Sequence, residues 1–226
     1  MKFDEQLSAH GQELIKLYKS MAKEGYERMD GIKILDAYND FEMRKFRHIC
    51  QPHFFANNVA TVLDYGAGGS DWDRPDFDPV TRNSAKQFFN VDQVYEFEPA
   101  RDKLMKTKAD CVVCMDVLEH IFISDVGKIV DELFNLSNKL LIVNVACYEA
   151  NALLPNGENA HITVRTPDWW KGVFDVISLN HKAIEVLLIC SYDFISGVVY
   201  EKFKGTDWEQ SETFVSTIKC KTFQPS

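Results

Sequence analysis

The stretch Val62-Leu63-Asp64-Tyr65-Gly66-Ala67-Gly68-Gly69-Ser70 constrains this chain more than any other. An apolar, strand-like run that breaks into glycines puts bare backbone at the carboxyl end of a buried strand, where a ligand can lie against it. Further on, Val94-Tyr95-Glu96-Phe97-Glu98-Pro99 ends a second run in carboxylates, placed to accept hydrogen bonds from a ribose diol. In this order the two point to a nucleoside-bearing ligand. A dinucleotide needs its pyrophosphate at a helix N-terminus directly after the glycines. Here Ser70 to Pro79 follows, with two prolines and four aspartates that oppose both a helix and a phosphate dianion. A nucleoside ligand without phosphate tolerates the change.

The rest of the chain fits an open α/β sheet. Short β-type runs at Ala60 to Tyr65, Gln93 to Phe97, Cys111 to Met115 and Leu140 to Val145 alternate with polar or helical stretches. The last two are nearly continuous apolar runs, as parallel strands buried on both faces require. Between them Asp125 to Leu136 carries Val126, Ile129, Val130, Leu133 and Phe134 at helical spacing. Thr166-Pro167 reads as an N-cap and first-turn proline opening a helix through Trp169, Trp170, Val173 and Phe174. Two further β-type runs, Ile184 to Ser191 and Thr213 to Phe223, flank a polar connection around Gly205 to Ser211. Ahead of all this, Glu5 to about Phe55 is helical in style, with apolar positions including Leu14, Ile15, Tyr18, Met21, Ile34, Leu35, Tyr38, Phe41 and Phe46 and breaks at Gly25 and Asp30-Gly31. It predicts a helical layer packed on the domain or capping its cleft. Its His10, His48 and His53 read as surface or packing residues.

With the glycine turn, the acid after the second run, and Asp116-Val117-Leu118-Glu119-His120-Ile121 in view, the chain resembles class I S-adenosylmethionine-dependent methyltransferases over roughly Thr61 to Trp170. It is most similar to small phage and bacterial methyltransferases of unassigned substrate, which share the acid-Pro-Ala of Glu98-Pro99-Ala100 and a stretch like Leu154 to Thr163. The resemblance implies one domain over residues 1–226, with an N-terminal helical layer (1–57) and a Rossmann-like, doubly wound, mostly parallel core (58–226). Only ten residues lie between Pro99 and Asp110, too few for the family's helix and third strand. The expected order is therefore 2-1-4-5-7-6 with the third strand missing, only the last strand antiparallel, and no paired strand within Arg101 to Ala109. The resemblance also assigns Asp64, Gly66 and Gly68 to the methionyl part of S-adenosylmethionine and Glu98, with Glu96 in reserve, to its ribose. Met115 and Asp116 border the cofactor. Ser70 stands where the family has a third glycine.

Asp116, Glu119 and His120 directly follow the Cys111 to Met115 strand, so they belong at its carboxyl end. In a helical turn Asp116 shares a face with residues three and four further on. His161 lies in the loop after the Leu140 to Val145 strand, which ends on the same sheet edge. The alternative is a turn capped by Asp116 with Glu119 and His120 on the surface. An acid-x-x-Glu-His turn with a later histidine resembles two O-methyltransferase groups, the ubiquinone-biosynthesis enzymes and the small-RNA 3′-end 2′-O-methyltransferases. The second resemblance implies Asp116, Glu119, His120 and His161 as ligands of a divalent metal (Mn, Mg, Co or Zn), a mixed set that suits Mn, Fe, Co or Zn better than Mg alone. Without a metal, His120 or His161 would act as general base, with Asp116 beside them. Arg165, Trp169 and Trp170 are candidates for the acceptor pocket.

The function expected from this is methyl transfer from S-adenosylmethionine to a hydroxyl of a small molecule, a sugar or a ribose. Its rival is a non-catalytic S-adenosylmethionine-binding protein that serves a partner. Lys and Arg number 25 against 34 Asp and Glu, a net charge of −9, which disfavours a phosphate backbone or anionic membrane as partner, an RNA 3′ end excepted. No apolar run approaches the length of a membrane span, and Met1-Lys2-Phe3-Asp4-Glu5 has no signal-peptide core. A cytoplasmic location is expected. The cysteines Cys50, Cys111, Cys114, Cys147, Cys190 and Cys220 are then reduced. In Cys111-Val-Val-Cys114 the two thiols point to opposite faces of a strand, which argues against a zinc or redox pair.

Overall fold

The computed structural model describes residues 7–35, 42–194, 196–204 and 214–219. Within the reading above, Met1 to Glu5, Tyr38, Phe41, Gly205 to Ser211, Thr213, Cys220 and the end of the last run lie outside them. In chain order come α1 (Ala9–Glu24), β1 (Tyr26–Arg28), β2 (Lys33–Ile34), α2 (Met43–Ala56), β3 (Thr61–Tyr65), α3 (Ala85–Phe89) and β4 (Gln93–Glu98). There follow β5 (Lys103–Leu104), β6 (Ala109–Met115), α4 (Ile123–Leu136), β7 (Ser137–Ala146), β8 (Ala152–Leu153), α5 (Pro167–Ser178), β9 (Glu185–Ser191), β10 (Ser196–Lys204) and β11 (Phe214–Lys219).

Strands β4, β3, β6, β7 and β9 lie side by side and parallel, a mostly parallel Rossmann-like sheet. Alternation along each strand feeds two cores. Leu63, Val112, Cys114, Leu141 and Val143 face α4 and α5, whereas Val62, Cys111, Val113, Leu140 and Ile142 face α2 and α3. Cys111 and Cys114 thus sit on opposite faces, and every described cysteine is free.

The strand order departs from the expected one. The strand Glu185–Ser191 pairs directly with β7 along its whole length, and no antiparallel strand is inserted between them. The physical reason is the tight connection to β10. Tyr192 N donates to Ser196 O at 2.8 Å and Ser196 N to Asp193 Oδ1 at 2.7 Å, so β10 can only fold back as the antiparallel neighbour of β9, with β11 antiparallel beyond it. Strand β10 has no clear signature in the sequence, since its outer half, Tyr200-Glu201-Lys202-Phe203-Lys204, carries three charges without strict alternation. The ten residues after Pro99 hold no helix of α type and no parallel third strand, but they do contain the paired strand expected to be absent. Lys103–Leu104 hairpins back on Phe97–Glu98, because Asp102 takes a left-handed conformation (φ 56°) after the short 3₁₀ turn Pro99–Arg101.

The N-terminal layer is also not uniformly helical. Ser8 caps α1, but Gly25 (φ 80°) ends it, and β1–β2 form a hairpin to which β8 adds a third strand. The two helices go to different places: α2 packs on one sheet face, with Met43, Phe46, Cys50 and Phe54 buried, while α1 crosses the carboxyl edge of the sheet. His10 and His48 pack against Phe122 and Phe88, and His53 is buried against Glu185 at 2.8 Å. At α5, Thr166 occupies the N-cap position, but its hydroxyl makes no cap bond.

Candidate functional site

A cavity of about 310 Å³ opens at the carboxyl ends of β3, β4 and β6, where an open α/β sheet offers its ligand crevice. Its floor is the glycine turn. Gly66 (φ 80°) and Gly68 (φ 50°) take backbone angles that L side chains avoid, and a Cβ on Gly66 would run into Val117. Asp64, one residue before the strand end, is 4% exposed and accepts Trp72 Nε1 at 2.7 Å. Burial pushes its pKa up to about 6 against hydrogen bonds from Trp72 and Ser70. Ser70, in place of a third glycine, therefore serves Asp64. The Asp/Pro-rich segment that follows is an irregular loop whose Trp72 is buried beneath the turn. Glu98 bridges turn and strand end, with Oε2 accepting from Gly68 N at 3.0 Å and Oε1 from Ala100 N at 2.9 Å. Each oxygen keeps a second lone pair for a hydroxyl donor. Glu96 instead pairs with Lys103 at 3.0 Å and does not line the cavity.

The other half of the cavity is built from Met115, Asp116, His120, Tyr148 and His161. Asp116 leaves β6 with φ 58°, and the following 3₁₀ turn Leu118–His120 carries no side-chain cap, so the capped-turn alternative does not hold. One ligand atom each of Asp116, His120 and His161 lies within 4.8 Å of the other two. The imidazoles meet edge to face at 5.0 Å. His120 Nδ1 donates to Ala160 O at 2.7 Å and His161 Nδ1 to Tyr148 O at 2.5 Å; in a neutral imidazole such a bond puts the lone pair on Nε2. Burial, with His161 beside it, drops His120 to a pKa of about 4 and keeps it neutral. Burial would raise Asp116, but His120 and a hydrogen bond from Glu119 outweigh it and hold Asp116 below the usual range.

Glu119 does not join this set, contrary to the four-ligand expectation. It is fully buried, with Oε1 accepting Ala146 N at 2.5 Å. Burial and the neighbouring Asp116 push its pKa well up. Arg165 and both tryptophans also miss the cavity: Arg165 caps its own chain at Val164 O, and Trp170 is core. The cation among the described residues that line the cavity is Lys45 of α2, paired with Glu42 at 2.7 Å and 5.4 Å above the Phe194 ring.

The stretch Leu154 to Thr163 acts as a brace. Asn159 Oδ1 accepts Ala150 N at 3.0 Å and His161 N at 2.9 Å. Thr163 donates its hydroxyl to Ile121 O at 2.7 Å and its N–H to Glu119 O at 2.8 Å. It thereby ties His161 to the His120 turn. Overhead, α1 covers the cavity with Leu14, Ile15, Tyr18 and Met21. Comparison with protein-family models, curated proteins and solved structures finds no match for this chain.

Proposed function

We propose that the chain is an S-adenosylmethionine-dependent methyltransferase acting on a hydroxyl of a small molecule or sugar. The observation that carries this reading is that one cavity joins the glycine turn and Glu98 to the Asp116–His120–His161 cluster. A buried carboxylate whose pKa is raised to about 6 gains most from a cationic partner, which fits Asp64 to the α-ammonium of the methionyl group. Gly66 and Gly68 let that group lie on the backbone, and Glu98 accepts from the ribose hydroxyls.

When bound, S-adenosylmethionine supplies a methyl carbon on a sulfonium leaving group. The residues around it align the acceptor oxygen with that carbon and exclude water beneath α1. Nε2 of His161 would take the proton that the acceptor hydroxyl gives up when its oxygen is methylated. Neutral His120 and ionised Asp116 orient the hydroxyl. The same donors suit a divalent ion of the Mn, Fe, Co or Zn kind, with two anchored imidazoles and one carboxylate. A metal there would lower the acceptor's pKa. The acidic surroundings, Asp116, Glu42 and Asp193 near Tyr148, disfavour an anionic acceptor.

The test is cofactor turnover with a panel of phenolic, sugar and ribose hydroxyls, with and without chelator. Formation of S-adenosylhomocysteine with one acceptor supports the reading. Binding of the cofactor without transfer to any of them supports the rival, a non-catalytic binding protein. Loss to chelator with recovery on Mn or Co assigns the histidines to a metal, and indifference to chelator assigns proton removal.

A further inference from the structure

The helix that covers the cavity also reaches the histidine cluster. Tyr18 of α1 donates its hydroxyl to Ala160 O at 2.8 Å, with the carbonyl of His120 itself 3.3 Å from the same hydroxyl, and the Ala160 carbonyl accepts His120 Nδ1 at 2.7 Å. The Tyr18 and His120 rings meet edge to face at 5.3 Å. A carbonyl oxygen has two lone pairs, and these two donors occupy both. The direction of the Ala160 carbonyl is thus set from two sides, once by the cover and once by the imidazole.

We propose that Tyr18 is a positioning residue for His120: through Ala160 it holds the imidazole with its proton on Nδ1 and Nε2 bare, so that closure of α1 and readying of His120 are one event. The alternative tautomer would turn a lone pair on Nδ1 toward a carbonyl oxygen, which repels it. While Ala160 is pinned that form is closed to His120. Without the hydroxyl the carbonyl keeps one restraint and can swing away, and the ring can take either tautomer. Closure of α1 has its own latch at the other end. Ser8 donates its N–H and its hydroxyl to Asp125 at 2.9 and 2.6 Å, and Gly11 passes so near Asp125 that a Cβ there would meet its carboxylate. The cover therefore joins α4 at one end and the histidine cluster at the other.

The consequence for methyl transfer rests on the function proposed above, whereas the tautomer of His120 does not. It is read from long-range proton–nitrogen spectra of the full chain, labelled with ¹⁵N-histidine, at a fixed pH above neutrality and without cofactor. The wild-type protein is expected to show His120 as one species with the proton on Nδ1. Tyr18→Phe, which keeps the ring, is expected to bring in a population with the proton on Nε2, while His161, anchored on Tyr148 O, stays unchanged. Should Tyr18→Phe lose the fold in its amide spectrum, Ser8→Ala, which loosens α1 but retains the hydroxyl, is read by the same criterion. A His120 that carries its proton on Nε2 in the wild type, or one whose tautomer is indifferent to the folded variant, overturns the proposal. Absence of S-adenosylhomocysteine binding in a parallel titration would instead overturn the functional reading alone.

Discussion

The two halves of the cavity meet at one sheet edge and are made in opposite ways. The glycine half is local: Asp64, Gly66, Gly68 and Ser70 span seven positions, and Glu98 comes from the adjacent parallel strand. The histidine half is assembled at a distance, since His120 and His161 are held by the carbonyls of Ala160 and Tyr148, and Ala160 in turn by Tyr18. The first half uses glycines at positive φ, and at Gly66 there is no room for a side chain. The second uses ordinary side chains whose direction depends on partners elsewhere. In the proposed reading, a cofactor common to many acceptors needs only the first kind of construction, while chemistry on a particular acceptor is adjusted through the second.

The comparison makes sharp demands on variants. The largest effect is expected in the histidine half: His161→Ala and His120→Ala should each lower turnover by roughly 10²–10⁴-fold while cofactor affinity, measured by calorimetry, stays within a few fold. If either also abolished cofactor binding, the division into halves would fail.

Asp64→Asn should weaken cofactor binding by roughly 2–5 kcal/mol, as loss of a buried charge partner does, and yet stabilise the ligand-free protein. The sign follows from the raised folded-state pKa of about 6. Between the unfolded value and about 6 the folded state holds the extra proton, so stability falls as pH rises through that window and the loss is complete above it. Removing the carboxylate should restore about 3 kcal/mol at neutral pH, visible as a raised melting temperature. A lowered one would mean that Asp64 is structural.

Glu98→Ala should cost roughly 1–3 kcal/mol of cofactor affinity, and Glu98→Gln less, because the amide oxygen can still serve one backbone N–H. Equal affinities in all three proteins would remove Glu98 from the ribose role. Smallest is Gly11→Ala, whose Cβ meets the flexible end of Asp125. It should loosen α1 and change cofactor affinity by no more than about 1 kcal/mol, roughly the worth of one hydrogen bond.

What the sequence made legible follows the same division. The glycine turn, the flanking carboxylates and the parallel strands announce themselves within short windows, as does His120, which closely follows a buried strand, whereas His161 lies in the long loop after β7. The braces Tyr18, Asn159 and Thr163 carry no such mark. Each works through a backbone carbonyl or N–H, and a backbone group has no letter of its own. The resemblance implies Glu119 as a ligand beside His120, whereas the 3₁₀ turn sends it under the cluster to Ala146 N. The strand order was misjudged because the turn at Asp193, not the apolar pattern of either strand, decides which edge β10 joins.

The most direct test of the cofactor-binding half is a calorimetric titration of the full chain with S-adenosylmethionine across pH. Asp64 must be ionised to hold the ammonium group, so affinity should rise with pH up to about 6, level off above it, and lose this dependence in Asp64→Asn. No binding at any pH, or binding that ignores both pH and the Asp64→Asn change, would contradict the account.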